Sequence, residues 1–407
     1  MAGHFAHHLT TAIHQPLLPQ IRDAFELDYF RAGLIVSAFA IPYGFSQLPM
    51  GWLADRLGRR LLLSLGMMGI GVVAFIIGLS ISYWQLLALL ALLGLLGGAY
   101  HPSAAPLISA AVPSNRLGRA LGLHLMGGSA SFFLTPILAV TISLLIIPGG
   151  ESTAIGRLMA EMGLREPIAL GWRGPFAILA IPTFLAGLLF LKLLRPQPGA
   201  VSAAPPKKAE KGALRDLVRR LGPLVGIGIL AQSITMSITG FAFTLFLVDK
   251  HGITPAYAGY FLALIYGAGL VAAPVGGALS DRLGRKPIIL FSVLATGPII
   301  YLFTIVPYGF GLLALAIMLG LVMYMRQPVL ESMVVQGVPA HRASSFLGIY
   351  YFGSIESASV IAPLVGWIID HQGIDRTFTL LGAVLFASAL IVTLLLSRSK
   401  IESGAAA

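Results

Sequence analysis

Cysteine is absent from this 407-residue chain, and charge is scarce: Asp, Glu, Lys and Arg together make up 11% of it. The first absence excludes a secreted disulfide scaffold. The second excludes a soluble enzyme, since soluble chains carry roughly 25% charged residues. Acidic residues are scarcer than basic ones, 16 against 27. Also missing is any G-x-x-x-x-G-K-[ST] loop, which argues against ATP coupling within the chain. No basic n-region precedes the first apolar stretch, so no cleavable signal peptide is evident.

What is abundant is apolar sequence: 57% hydrophobic, with a mean hydropathy of +0.87. A spanning helix needs about 20 mainly apolar residues to cross ~30 Å of hydrocarbon. That ruler gives spans 1 to 6 at 2–19, 31–53, 60–80, 84–111, 118–147 and 174–194. Spans 7 to 12 follow at 221–248, 257–280, 287–306, 309–335, 344–369 and 376–397. Continuous apolar runs without strict alternation favour helices over barrel strands. The expected fold class is therefore an all-α membrane protein of twelve helices.

On this map the segments facing one side hold 19 of the 27 Lys and Arg, among them Arg56, Arg116, Lys192, Arg220, Arg282 and Arg398. That side nets +14 once Asp55, Glu210, Asp216, Asp281 and Glu402 are subtracted. Basic residues stay on the side of insertion, so both termini are expected in the cytoplasm of a multi-pass inner membrane protein. The basic excess reads as topology, with lipid headgroups of the bilayer as partner. Nucleic acid is not an expected partner.

One long polar interruption, residues 195–220, divides the spans six and six. The expected organisation is a bundle over 1–194, a cytoplasmic linker over 195–220, a second bundle over 221–397 and a tail over 398–407. Sliding the first half by 226 residues finds the second. Gly33 falls on Gly259, Gly51 on Gly277, Asp55 on Asp281, Pro102 on Pro328 and Arg116 on Arg342. The register breaks in the outer loop 148–172, beyond which Arg173 aligns with Arg376 at an offset of 203, so the first half carries 23 extra residues. That insert reads as a solvated loop, or as a short surface helix. Met1 aligns with Ile227, which leaves span 1 about six residues shorter than span 7 at the inner face, or places the natural start upstream. Parallel repeats of this kind belong to secondary transporters, with a binding site near the midplane and alternating access.

Residues Gly51-Trp52-Leu53-Ala54-Asp55-Arg56-Leu57-Gly58-Arg59-Arg60, between spans 2 and 3, return as Gly277-Ala278-Leu279-Ser280-Asp281-Arg282-Leu283-Gly284-Arg285-Lys286 between spans 8 and 9. This pair resembles the signature loops of the major facilitator superfamily. The resemblance implies two six-helix bundles and a chain normally complete as a monomer. It also implies a conformational latch at Gly51, Asp55, Arg56, Gly58 and Arg59, echoed at Asp281, Arg282, Gly284 and Arg285, with Arg116 joining them. Gly98-Ala99-Tyr100-His101-Pro102 and the opening run from His4-Phe5 to Pro19 are similar to the fosmidomycin-resistance type of drug exporter. That similarity implies proton-coupled export of a small molecule. The antiporter signature G-x-x-x-G-P-x-x-G-G is not reproduced in span 5, which keeps Gly127-Gly128 and Pro136 but no Gly-Pro pair.

Charges in hydrocarbon cost at least ~2.5–3.5 kcal/mol each, so every one raises a functional question. Arg326 on span 10 lies ~15 Å from the inner end by helical rise, and Glu356 on span 11 lies ~18 Å from it. Glu356 is the candidate proton carrier, with Arg326 as partner of its deprotonated form; the alternative is a permanent structural pair. Glu331, five residues from the inner end, is grouped with the proton-coupling candidates; its place reads as the cytoplasmic network with Arg282 or Arg285, with the cavity as the alternative. Span 1 carries His4, His7, His8, Thr11 and His14 at helical spacing, a stripe too polar for lipid. It should line the central cavity, where proton relay, substrate hydrogen bonding and transition-metal ligation through His4 and His8 are the specific readings and plain lining with no single critical histidine is the alternative. No carboxylate or thiol joins the cluster within span 1, so no metal is expected, nor any other cofactor. His101-Pro102 and Gln327-Pro328 share a register, and each proline is expected to weaken its helix. Tyr100, His124, Gln232, Tyr266 and Tyr324 complete the candidate cavity polars. Protons and a small-molecule cargo are the expected partners; an organic-anion symporter, a facilitator and a lipid flippase on the same scaffold are the alternatives.

Overall fold

The computed structural model describes residues 1–113, 116–147, 168–194, 211–337, 350, 353 and 357–398. Nine helices among them are long and apolar enough to cross a membrane. Large apolar side chains stand on the outside of the molecule, Leu48 at 83% and Phe310 at 84% exposure. Such an apolar surface is stable only against lipid tails.

Most spans fall where hydropathy put them: Tyr29–Leu57, Arg59–Gly78, Leu117–Ser143, Arg173–Leu193, Pro255–Leu283, Arg285–Ile305, Phe310–Gly337 and Ile374–Arg398. Span 11 is described only over Ser357–Gln372. One span is corrected. Span 1 is not one helix: Ala2–Thr11 ends in a turn, and a second short helix, Leu18–Ala24, follows with Pro19 in its first turn. Pro16 and Pro19 lack the N–H groups a continuous helix would need there. Span 4 falls where it was expected, as Tyr83–Ala111, but a two-residue turn at Gly98-Ala99 parts its helix into Tyr83–Gly97 and Tyr100–Ala111. Pro102 cannot bond the carbonyl of Gly98, four residues earlier, so the ladder opens at Gly98-Ala99. Its repeat partner Pro328 sits inside the unbroken helix Phe310–Gly337, so the expected break is confined to the first half. Span 7 runs through Lys211–Ser237, a fully buried π-helical turn at Ile238–Ala242, and Phe243–His251. The outer insert lies largely outside the described residues, but its ends are tied by an antiparallel pair, Ile146–Ile147 with Ile168–Ala169.

The chain forms two compact units: Met1–Leu27, Ala38–Gly199 and Gly252–Ala263 make the first, and the remaining segments the second. The 226-residue repeat is visible in the packing of each. In the first unit a Cβ on Gly94 would lie 2.2 Å from the Phe39 carbonyl; in the second, one on Gly320 would lie 2.2 Å from the Ile265 carbonyl. Likewise Gly71 fits under Phe184 and Gly297 under Phe386. The latter partners are 202 residues apart, one fewer than the Arg173–Arg376 alignment expects. Small residues at these crossings let backbones approach closely, which drives association where lipid supplies no hydrophobic force. Both signature loops turn on a glycine with positive φ, Gly58 at 92° and Gly284 at 86°, a conformation that disfavours any side chain.

Within the second unit, the Asp370 carboxylate accepts hydrogen bonds from the backbone N–H of Tyr29 (3.0 Å) and Phe30 (2.9 Å). These are orphan donors at the start of helix Tyr29–Leu57, and a carboxylate there acts as a cap. Asp370→Ala is expected to lower stability by about 0.5–2 kcal/mol, the usual worth of a capping side chain. A thermal melt of the purified protein reads it.

Candidate functional site

The first unit gathers histidines and tyrosines from four helices. Gly128 makes the room: its missing Cβ would lie 2.6 Å from His4 Cε1, so the His4 ring occupies the volume a side chain would have filled. His4 Nδ1 lies 2.9 Å from the His124 carbonyl. A carbonyl can only accept, so Nδ1 carries the proton and His4 Nε2 presents its lone pair. His8 Nε2 lies 3.1 Å from that lone pair and donates to it. The His4 ring stacks on His124 (centroids 4.2 Å apart, 8° between planes), and Tyr100 lies parallel to His124 as well (5.8 Å, 6°). His7 stacks on Tyr100 at 4.5 Å and reaches the Tyr43 hydroxyl at 3.3 Å through Nε2. His101 stands edge-on to both His4 and Tyr100. The break at Gly98-Ala99 lets Tyr100 and His101 open a fresh helix facing these rings.

His14 does not belong to this group. The chain turns after Thr11, so the expected continuous stripe ends there; His14 packs instead on Phe39 at 5.2 Å. The Thr11 hydroxyl is spent on the carbonyl of His7, 3.0 Å away, within its own helix.

The second unit buries a charge completely. Arg326 is 0% exposed, on helix Phe310–Gly337. Its Nη1 donates to Ser292 Oγ (3.2 Å) and Thr296 Oγ1 (3.4 Å); its Nη2 donates to Gln232 Oε1 (3.1 Å) and Thr235 Oγ1 (3.4 Å). Its Nε has no hydrogen-bond partner among the described residues. All four acceptors are neutral. No carboxylate pairs with Arg326 among the described residues, and Glu356, its expected partner, lies outside them. The hydroxyls already donate elsewhere: Ser292 to the Val322 carbonyl, Thr296 to Ser292, Thr235 to Ala231. They hold the guanidinium in place without neutralising it.

Other expected residues are placed singly. Gln327 Nε2 donates to Glu331 Oε1 at 3.1 Å. Tyr266 meets Tyr324 edge-on, centroids 6.4 Å apart. In the latch region Asp55 pairs with Arg59 at 3.1 Å, and the Arg56 guanidinium lies 3.7 Å over the Trp52 ring. Gly51 approaches Pro102. Asp281 and Arg282 are exposed at the matching loop, and so is Arg116. Sequence reasoning missed Tyr43, Thr235, Ser292 and Thr296. The hydroxyls at i and i+4 in span 9 were a readable signal, because polar residues on one face of an apolar helix need a partner.

The sequence pattern of the Major Facilitator Superfamily matches residues 1–231 and again 225–407. Two similar relatives are both named multidrug resistance protein MdtG. The one from Enterobacter lignolyticus (strain SCF1) is 28% identical and pairs 91% of this chain with 82% of its own. That of Escherichia coli O1:K1 / APEC is 29% identical, pairing 89% with 82%. Among solved structures, a bacterial homologue of the human lysosomal transporter Spinster, inward-facing and occupied, superposes with a TM-score of 0.78 at 17% identity, covering 99% of this chain and 97% of its own. A D-xylose–proton symporter superposes with 0.75 at 14% identity, covering 96% and 95%. These last two likenesses concern the fold.

Proposed function

Because the chain belongs to the Major Facilitator Superfamily and is therefore a membrane transporter, not an enzyme, we propose that it exports a small molecule in exchange for protons. It works as a monomer by alternating access in a bacterial cytoplasmic membrane, with both termini inside. The names of its MdtG relatives support a drug-like cargo. One observation carries the reading: a fully buried guanidinium whose described partners are all neutral. A buried cation with no carboxylate beside it among the described residues is costly, and it is held ready for an anion. Deprotonated Glu356 is that anion, and proton and cargo compete for the Glu356–Arg326 pair, so that taking up one releases the other. Competition of this kind is the exchange an antiporter needs.

The test is proton movement in liposomes carrying a pH-sensitive dye, with a panel of drugs and organic anions. Glu356→Gln is expected to abolish cargo-triggered proton flux and to retain cargo binding. Unchanged proton coupling in that variant would overturn the role of Glu356. Cargo flux without proton movement in the unmodified protein would favour the second reading, a facilitator for organic anions, which the neutral surroundings of Arg326 also suit.

A further inference from the structure

We propose that His4, His8 and His101 form a binding site for one divalent transition-metal ion of the zinc and cobalt class. Each offers one imidazole nitrogen, and the three donor atoms lie within 4.8 Å of one another. The Nε2 atoms of His4 and His8 are 3.1 Å apart. Two nitrogens bound at ~2.0–2.1 Å on a tetrahedral ion sit about 3.3 Å apart, so this pair is already at ligand spacing.

The second argument is orientation. A metal-bound imidazole nearly always donates its other N–H to a carbonyl or carboxylate, which fixes the ring and its tautomer. His4 does so: its Nδ1–H is held by the His124 carbonyl at 2.9 Å, leaving the Nε2 lone pair directed at His8. Gly128 and the stacked His124 hold that ring on either side. His4 and His8 are an i, i+4 pair on one helix face, and His101 arrives from the helix that restarts after the Gly98-Ala99 break.

The donor chemistry selects the ion. Three neutral imidazoles with no carboxylate among the grouped residues suit zinc, cobalt, nickel or copper, and do not suit calcium or magnesium. His4 is buried, whereas His8 and His101 are half-buried, so an ion can enter over their edges. On binding, the ion replaces the proton that bridges the two Nε2 atoms, and His8 carries its proton on Nδ1 instead. The imidazoles stay neutral and no proton is gained or lost. Three protein ligands leave a fourth position for water or another small ligand, as in exchangeable zinc sites. All three histidines lie in the first unit, so a bound ion staples span 1 to span 4 within it.

Tag-free full-length protein in detergent is titrated with cobalt(II), followed by displacement with zinc(II) in equilibrium dialysis. One cobalt per chain with the intense visible bands of tetrahedral coordination is expected, lost on adding zinc. His101→Ala and His8→Gln should each weaken binding roughly 100-fold or more, at or beyond the top of the range for disturbing a ligand's support. His371→Ala, which removes an exposed imidazole elsewhere, should change nothing. Zinc should also raise the melting temperature of the unmodified protein and not of either variant. No cobalt spectrum in the unmodified protein would overturn the site, as would full binding in both variants. Because no transport is measured, this result stands apart from the exporter reading: either can fail alone.

Discussion

Arg326→Met is expected to abolish cargo-coupled proton movement while leaving the protein as stable as before, or more so. Stability should hold because, of the residues around Arg326, only Gln232 loses a partner, its Oε1 giving up the Nη2 donor, at a cost of about 1–3 kcal/mol for a buried acceptor left unsatisfied. Ser292, Thr296 and Thr235 each donate to a backbone carbonyl, so losing the guanidinium orphans no hydroxyl proton. Removing the charge also relieves an intramembrane cost of at least ~2.5–3.5 kcal/mol. Transport should fall about 30-fold or more, because truncating one partner of a buried charge pair costs ~2–5 kcal/mol and each 1.4 kcal/mol is tenfold. Arg326→Lys should rescue little, since an ammonium cannot span the Ser292/Thr296 and Gln232/Thr235 pairs with one planar fork. Full transport by the methionine variant would show that the buried charge is only structural. The measurements are liposome flux and a thermal melt on the same preparation.

Gly94→Leu and Gly320→Leu are expected to cost the most in folding. At both positions even a Cβ would stand 2.2 Å from a backbone carbonyl, of Phe39 in one unit and Ile265 in the other. The obstacle is backbone and cannot swing aside as a side chain could, so the helices must separate. Overpacking commonly costs ~1–3 kcal/mol, and a leucine against backbone belongs at or beyond the upper end. Gly122→Leu, at a glycine with no neighbour within 4 Å of its would-be Cβ, should be nearly neutral. Yield of monodisperse protein and the melting temperature report both. Because each unit holds one copy of the contact, the two glycine variants should fail alike. A tolerant Gly94→Leu would mean that the repeat is preserved in sequence without being needed in packing.

The reach of the sequence differs between the frame and the site. Hydropathy alone located most of the spans, because lipid demands ~20 apolar residues whatever the neighbours are. The 226-residue offset also anticipated the shared packing of Gly94 with Gly320. The offset of 203 read after the outer insert is off by one, since Phe184 and Phe386 set a spacing of 202. Prolines were legible as weak points, yet Pro102 breaks its helix and Pro328 does not. The difference lies in what surrounds them: next to the first break Gly98 lets Ser46 come close, an approach that a side chain at 98 would forbid.

The sequence by itself determined the membrane class, the two-fold repeat, the two glycine-hinged loops and which intramembrane residues carry charge or an imidazole. These follow from local composition and from spacing along one helix. Tertiary structure decided which of those residues meet. It separated His14 from the other histidines, brought His101 onto His4 and His8, and surrounded Arg326 with Ser292, Thr296, Gln232 and Thr235. A 3.6-residue period tells which side chains share a helix face, but not which helix lies opposite. That choice is made by the close crossings of small residues, and those exist only once the helices have packed.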